Sequence, residues 1–152
     1  MPLRRIGYWR QVGRYERGDH SDYLLSNPCE LVDPTWNPDI KRSVVTYLRN
    51  GKVLAYCMGY SYCRFHCGIS DNMMGSCELT DGVWLWPEGL PHYVEVHSVR
   101  LPADFIDHMQ RQDFKPPNHL DDMRLRDAYG DELALTAHNL YEQLRKGYYP
   151  FS

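Results

Sequence analysis

No stretch of this chain stays apolar for the roughly 20 residues that a membrane-spanning helix needs. The arginines near the start are not followed by the apolar segment of a secretory signal. A GxSxG elbow is missing, and so is a glycine-rich phosphate loop; Gly82 and Gly89 instead flank a strand and a turn. Positive charge is in deficit, with 17 Lys and Arg against 20 Asp and Glu and a net charge of -3. Neutralising phosphates releases counterions, so nucleic-acid binders carry a basic stripe. The nearest thing to one here is Arg4, Arg5, Arg10, Arg14 and Arg17, interrupted by Glu16 and Asp19. Nucleic acid and membrane are therefore not expected as partners, and the expected location is the cytoplasm.

Cysteine is present but odd in number, at Cys29, Cys57, Cys63, Cys67 and Cys77. Without an export signal, reduced thiols or a metal site are the stronger expectations and a disulfide framework the weaker. Hydrophobic residues make up 43% and charged residues 24% of the 152, as in ordinary globular domains. Aromatic side chains are abundant, with 12 Tyr and 4 Trp, which suits both a core and a binding surface. A single domain over 1–152 is expected, with an ordered irregular arm at 1–30 and a helical C-terminal part at 118–152.

Residues 37–51 carry the clearest local signal. Asn37 suits a helix N-cap, Pro38 the first helical position, and Asp39 and Arg49 complement the two helix ends. Ile40, Val44, Tyr47 and Leu48 share one face, and Gly51 stands where a left-handed cap would stop the helix. Residues 52–65 alternate as a strand does, with Gly59 marking a bulge or a close backbone approach. Residues 66–75 read as loop. Residues 76–80 and 83–86 flank Asp81-Gly82, a two-residue hairpin turn, which puts Trp84 and Trp86 on one face. A short helix is expected after Gly89 through Leu90, Tyr93, Val94 and His97. Another starts at Pro102 with Phe105, Ile106 and Met109 inward. Asp121 to Tyr129 reads as helical, and Asp131 caps a last helix bearing Leu133, Ala137, Leu140 and Leu144. The expected class is α+β, a small antiparallel sheet of about three strands covered by four or five helices.

Chemistry-bearing residues are densest between Cys57 and His97. Thiolates and imidazoles hold zinc well, and structural sites often join a short-spaced ligand pair to a distant one. Cys63 with Cys67 or His66 suits the near pair; Cys77 with His92 or His97 suits the far one. The candidate metal set is Cys63, His66, Cys67, Cys77 and His97, and the expected cofactor is either none or one structural zinc. The competing reading makes the cysteines small buried strand residues. A Cys63–Cys67 disulfide and a catalytic cysteine are further alternatives. The run from His92 to His97 fails as HExxH, since the histidines are five apart and diverge around a helix. Asp71 and Asp81 are explained by turns.

Trp84 and Trp86, beside Pro87, are candidate partner-binding anchors, because interface hot spots favour Trp. The functional expectation is a non-catalytic module that binds another protein, of the inhibitor, immunity or accessory type, with or without a structural zinc. The alternative is a small metal- or cysteine-dependent enzyme centred on Cys63, His66, Cys67, His92 and His97.

Overall fold

A computed structural model of the chain describes residues 3–10, 25–121 and 124–125. The last expected helix, with Leu133 to Leu144, and most of the one at Asp121 lie outside the described residues. In chain order the elements are β1 (Arg4–Arg5), a 3-10 turn (Pro28–Leu31), α1 (Pro38–Arg49), β2 (Lys52–Tyr56), α2 (Asp71–Met74), β3 (Cys77–Thr80), β4 (Trp84–Pro87), α3 (Leu90–His97) and α4 (Ala103–Arg111). Among the described residues the sheet has four strands in the order β1-β4-β3-β2. The strand beyond the three expected is β1, which pairs parallel with β4, so the sheet is mixed rather than antiparallel. Two residues inside an irregular arm show no alternation, and backbone bonds recruit them: Arg4 N–H to Val83 O and Ile6 N–H to Leu85 O, both 2.9 Å. The class is α+β. Among the described residues no helix is long and apolar enough to cross a membrane.

Helix α1 forms as its caps require. The Asn37 side chain accepts from the Asp39 and Ile40 N–H groups, and Pro38 occupies the first turn. Val44, Val45, Tyr47 and Leu48 are buried. Gly51 corrects the expected left-handed cap, because it does not adopt a positive φ. Its role is steric: a Cβ there would lie 2.5 Å from the Trp86 ring.

The hairpin turns one residue later than expected. Thr80 pairs with Leu85, and the Asp81 N–H donates to Trp84 O, which leaves Gly82 (φ 93) and Val83 at the tip. The carboxylate of Asp81 decides this, since its Oδ1 accepts from the Val83 and Trp84 N–H groups at 2.9 and 2.7 Å. Its Oδ2 accepts from Tyr47 Oη at 2.7 Å and faces His108 Nε2 at 3.2 Å. Asp81 is 2% exposed, so a turn residue also ties β3–β4 to α1 and α4. Burial, and then the carboxylate beside it, hold the Tyr47 phenol well above its ordinary range.

Trp84 and Trp86 share a face as expected, and that face is the core. They are 1% and 0% exposed, with Phe105 of α4 stacked on Trp84 at 4.4 Å and tilted against Trp86 at 5.7 Å. The Trp86 indole N–H donates to Leu48 O at 3.1 Å. This burial overturns both tryptophans as partner-binding anchors: helices cover this face of the sheet over β4, while Val53 of β2 on the same face stays exposed. On the opposite face Leu85 packs with Leu3 and Leu125, with Leu54 and Leu120 at the margin.

The strand expected over 52–65 stops at Tyr56. Its irregularity falls between Val53 and Ala55, not at Gly59, which stands in open space. Residues 57–70 hold no regular element, and α2 adds a single unpredicted turn.

Three stability measurements follow. Asn37→Ala should lower the unfolding free energy by about 1 kcal/mol in denaturant titration. Trp86→Ala should cost roughly 3–5 kcal/mol, and Gly51→Ala about 1–3 kcal/mol from overpacking. A neutral Gly51→Ala would show that Trp86 is not packed against this glycine.

Candidate metal centre

The loop of residues 57–70 is held on α3 by polar contacts on both sides of Cys63. The buried Tyr93 hydroxyl of α3 accepts from the Arg64 N–H at 3.0 Å and donates to Tyr62 O at 3.1 Å. Burial is the main cause that pushes this phenol up to about 12, so it stays protonated and able to donate. Arg64, only 9% exposed, sends Nη1 to Tyr62 O and Ser61 Oγ at 2.8 and 3.0 Å, and reaches Trp9 O and Arg10 O at 3.4 Å. A guanidinium aimed at so many acceptors fixes the backbone locally.

Cys63, pinned between those anchors, is buried and brings its Sγ to 3.4 Å from His97 Nε2. Phe65 lies flat on the His97 ring, with centroids 4.0 Å apart and planes 6° from parallel. The chain then reverses: the His66 N–H donates to Cys63 O at 3.0 Å, and His66 takes a φ of 50. Cys67 thereby returns to α3, with its Sγ 3.5 Å from His92 Nε2. The ligand atoms of Cys63, Cys67, His92 and His97 all lie within 4.8 Å of one another.

These spacings suit a tetrahedral metal. With Zn–S near 2.3 Å and Zn–N near 2.0–2.1 Å, the sulfur–nitrogen edge of a tetrahedron is about 3.6 Å. Burial lowers the His92 pKa; it also lowers that of His97, with His92 as the second cause. Neutral imidazole is the ligating form. Burial raises the Cys63 thiol above its usual range, so without a cation this sulfur stays protonated.

Of the expected ligands, Cys63, Cys67 and His97 come together and His66 and Cys77 do not. His66 is exposed and stacks on Tyr62 at 5.8 Å. Cys77 opens β3, where it pairs with Tyr56, and its N–H turns to the Glu88 carboxylate at 3.2 Å. All five cysteines are free thiols. The fourth member is His92. The expected divergence of His92 and His97 around the helix does not keep them apart, since their ring centroids are 5.0 Å apart. Helical side chains lean toward the N-terminus of their helix. His97, the last residue of α3, thus leans back toward His92 while both flank Tyr93. The four residues read Cys-x3-Cys and His-x4-His, and that paired spacing was the available signal. Tyr93 as the anchor had no sequence signal beyond its place on the apolar stripe.

No protein-family model, curated protein or solved structure matches this chain.

Two measurements test this geometry. In metal-free protein, imidazoles with lowered pKa bind fewer protons than they do in the unfolded chain. Their contribution to stability is complete above the unfolded value of about 6.5 and is lost as pH falls through the lower folded values. The melting temperature of the metal-free protein should therefore drop on acidification from pH 7, and His92→Gln with His97→Gln should flatten that drop. Tyr93→Phe, which removes the bridge across Cys63, should cost about 1–3 kcal/mol in chemical unfolding.

Proposed function

We propose that the chain is a non-catalytic protein-binding module whose 57–70 loop is fixed by one structural zinc ion on Cys63, Cys67, His92 and His97. The carrying observation is the convergence of two sulfurs and two imidazole nitrogens within 4.8 Å. Four protein ligands close the tetrahedral shell, whereas catalytic zinc keeps a position open for water or substrate. Irregular loops of this length inside small domains are uncommon and need an anchor. A metal bond between loop and α3 supplies one, because binding energy at such a site is folding energy.

The binding role rests on what the loop and its approach expose. Tyr56, Met58 and Tyr60 are 77%, 107% and 62% exposed, at the end of β2 and the start of the loop. Large aromatic and methionine side chains left bare are over-represented at protein contacts. With Trp84 and Trp86 buried, these residues are the surface on which the reading depends.

One contact favours a second reading. Exposed Cys67 lies 3.5 Å from His92 beside a cleft of about 450 Å³ lined by Tyr62, His66 and Asp71. A thiol paired with an imidazole is the arrangement of a cysteine nucleophile. Cys63 and His97, equally close, are the observation against it, since a nucleophile–base pair has no use for them.

Native mass spectrometry of tag-free protein should show about one zinc per chain, and chelation should lower the melting temperature. Cys63→Ser should abolish retention of the metal. Metal-free protein with unchanged stability on zinc addition, together with rapid alkylation of Cys67, would select the enzyme instead. For the binding role, Met58→Ser with Tyr60→Ser should leave the melting temperature unchanged while removing the partner that co-purifies from the native host.

A further inference from the structure

We infer that Cys67 and Cys63 form a peroxide-oxidisable pair, so that hydrogen peroxide converts the zinc-bound loop into a disulfide-closed, zinc-free one. This inference rests on the zinc reading and adds a modification site to it. Its basis is the unequal exposure of two sulfurs that share one cluster. Cys67 is an exposed residue at the cleft that also reaches Cys63, whereas Cys63 is 4% exposed. An accessible sulfur meets the oxidant first, and a shielded neighbour resolves the product.

Both sulfurs belong to the group whose ligand atoms lie within 4.8 Å of one another. A disulfide needs them about 2.05 Å apart. The approach falls to Cys67, which is followed by Gly68 at a φ of 91 with nothing within 4 Å of its Cβ position. That side of the loop has room to move. Cys63 does not, being held by the Tyr93 and Arg64 contacts on either side of it.

The steps balance without another reagent. The Cys67 thiolate attacks one peroxide oxygen, the O–O bond breaks, and a sulfenic acid forms as hydroxide leaves. The Cys63 thiolate then attacks the sulfenic sulfur, the S–S bond forms, and a second hydroxide leaves. The two sulfurs give up two electrons to the peroxide, and two protons from solvent complete two waters. A zinc ion left with two imidazoles has lost both anionic ligands and dissociates. A thiol reductant reverses the change by exchange at the disulfide.

The test treats the zinc-loaded full chain with stoichiometric hydrogen peroxide, with a chromogenic chelator reporting released zinc and peptide mass spectrometry locating the oxidised sulfurs. The triple variant Cys29→Ser, Cys57→Ser, Cys77→Ser is run beside the wild type, so that a folding defect in the variant leaves the wild-type peptide map to decide. The expected result is one zinc released per Cys63–Cys67 disulfide, with zinc taken up again after dithiothreitol. Retention of zinc under peroxide overturns the inference and leaves the structural site standing. So does release with Cys67 as sulfinic acid, or with a disulfide to Cys57 or Cys77. A chain that binds no zinc before peroxide is added overturns both.

Discussion

Burial of Trp84 and Trp86 between the sheet and the helices is the constraint on which the described structure depends. Both rings press on Phe105 of α4, and the Trp86 indole N–H is satisfied by Leu48 O of α1. A buried indole without that partner would be costly, so the bond sets how far α1 slides along the sheet. Gly51 follows from the same ring, because no side chain fits where the chain leaves α1 for β2. The Arg4 guanidinium lies over the Trp84 ring, 3.9 Å from its centroid, and pairs with Asp104 at 2.7 Å. In this way the strand that broadens the sheet is attached to the same ring.

The candidate metal centre is built on that frame. Val44 and Leu48 of α1 and Tyr93 and Val94 of α3 lie in one core with the tryptophans, and the half-buried His92 and His97 stand at its margin beside Tyr93. A rigid helix thus presents two imidazoles and a hydroxyl, and an irregular loop brings two sulfurs to them. The loop has little apolar packing of its own, with Cys63 its buried apolar member and Phe65 and Ile69 half-buried. Its position depends on polar contacts to α3. These are the parts of a structure that open most readily.

Loop exposure and loop anchoring go together here. Tyr56, Met58 and Tyr60 lie upstream of the anchor, outside the core cluster. Whatever holds Cys63 and Cys67 on α3 also limits where those exposed side chains can point.

Local patterns in the chain determined the elements that local physics can build. Asn37 and Pro38 start α1, an apolar stripe makes α3, Pro102 begins α4, and period-two alternation puts Trp84 and Trp86 on one face. The same residues identified Cys63, Cys67 and His97 as ligand material, because sulfur and imidazole are rare and chemically distinct. Tertiary structure decided the rest. Strand β1 exists through hydrogen bonds to a strand about 80 residues away, so its two residues carry no pattern of their own. Whether the tryptophans met a helix or a partner depended on Phe105, which alternation along β4 cannot reveal. His92 replaced Cys77 because a loop reversal at His66 returned Cys67 to α3, while sheet pairing held Cys77 beside Tyr56. Ligand sets are matters of distance between side chains, and distance across a fold is set by packing that no single segment contains.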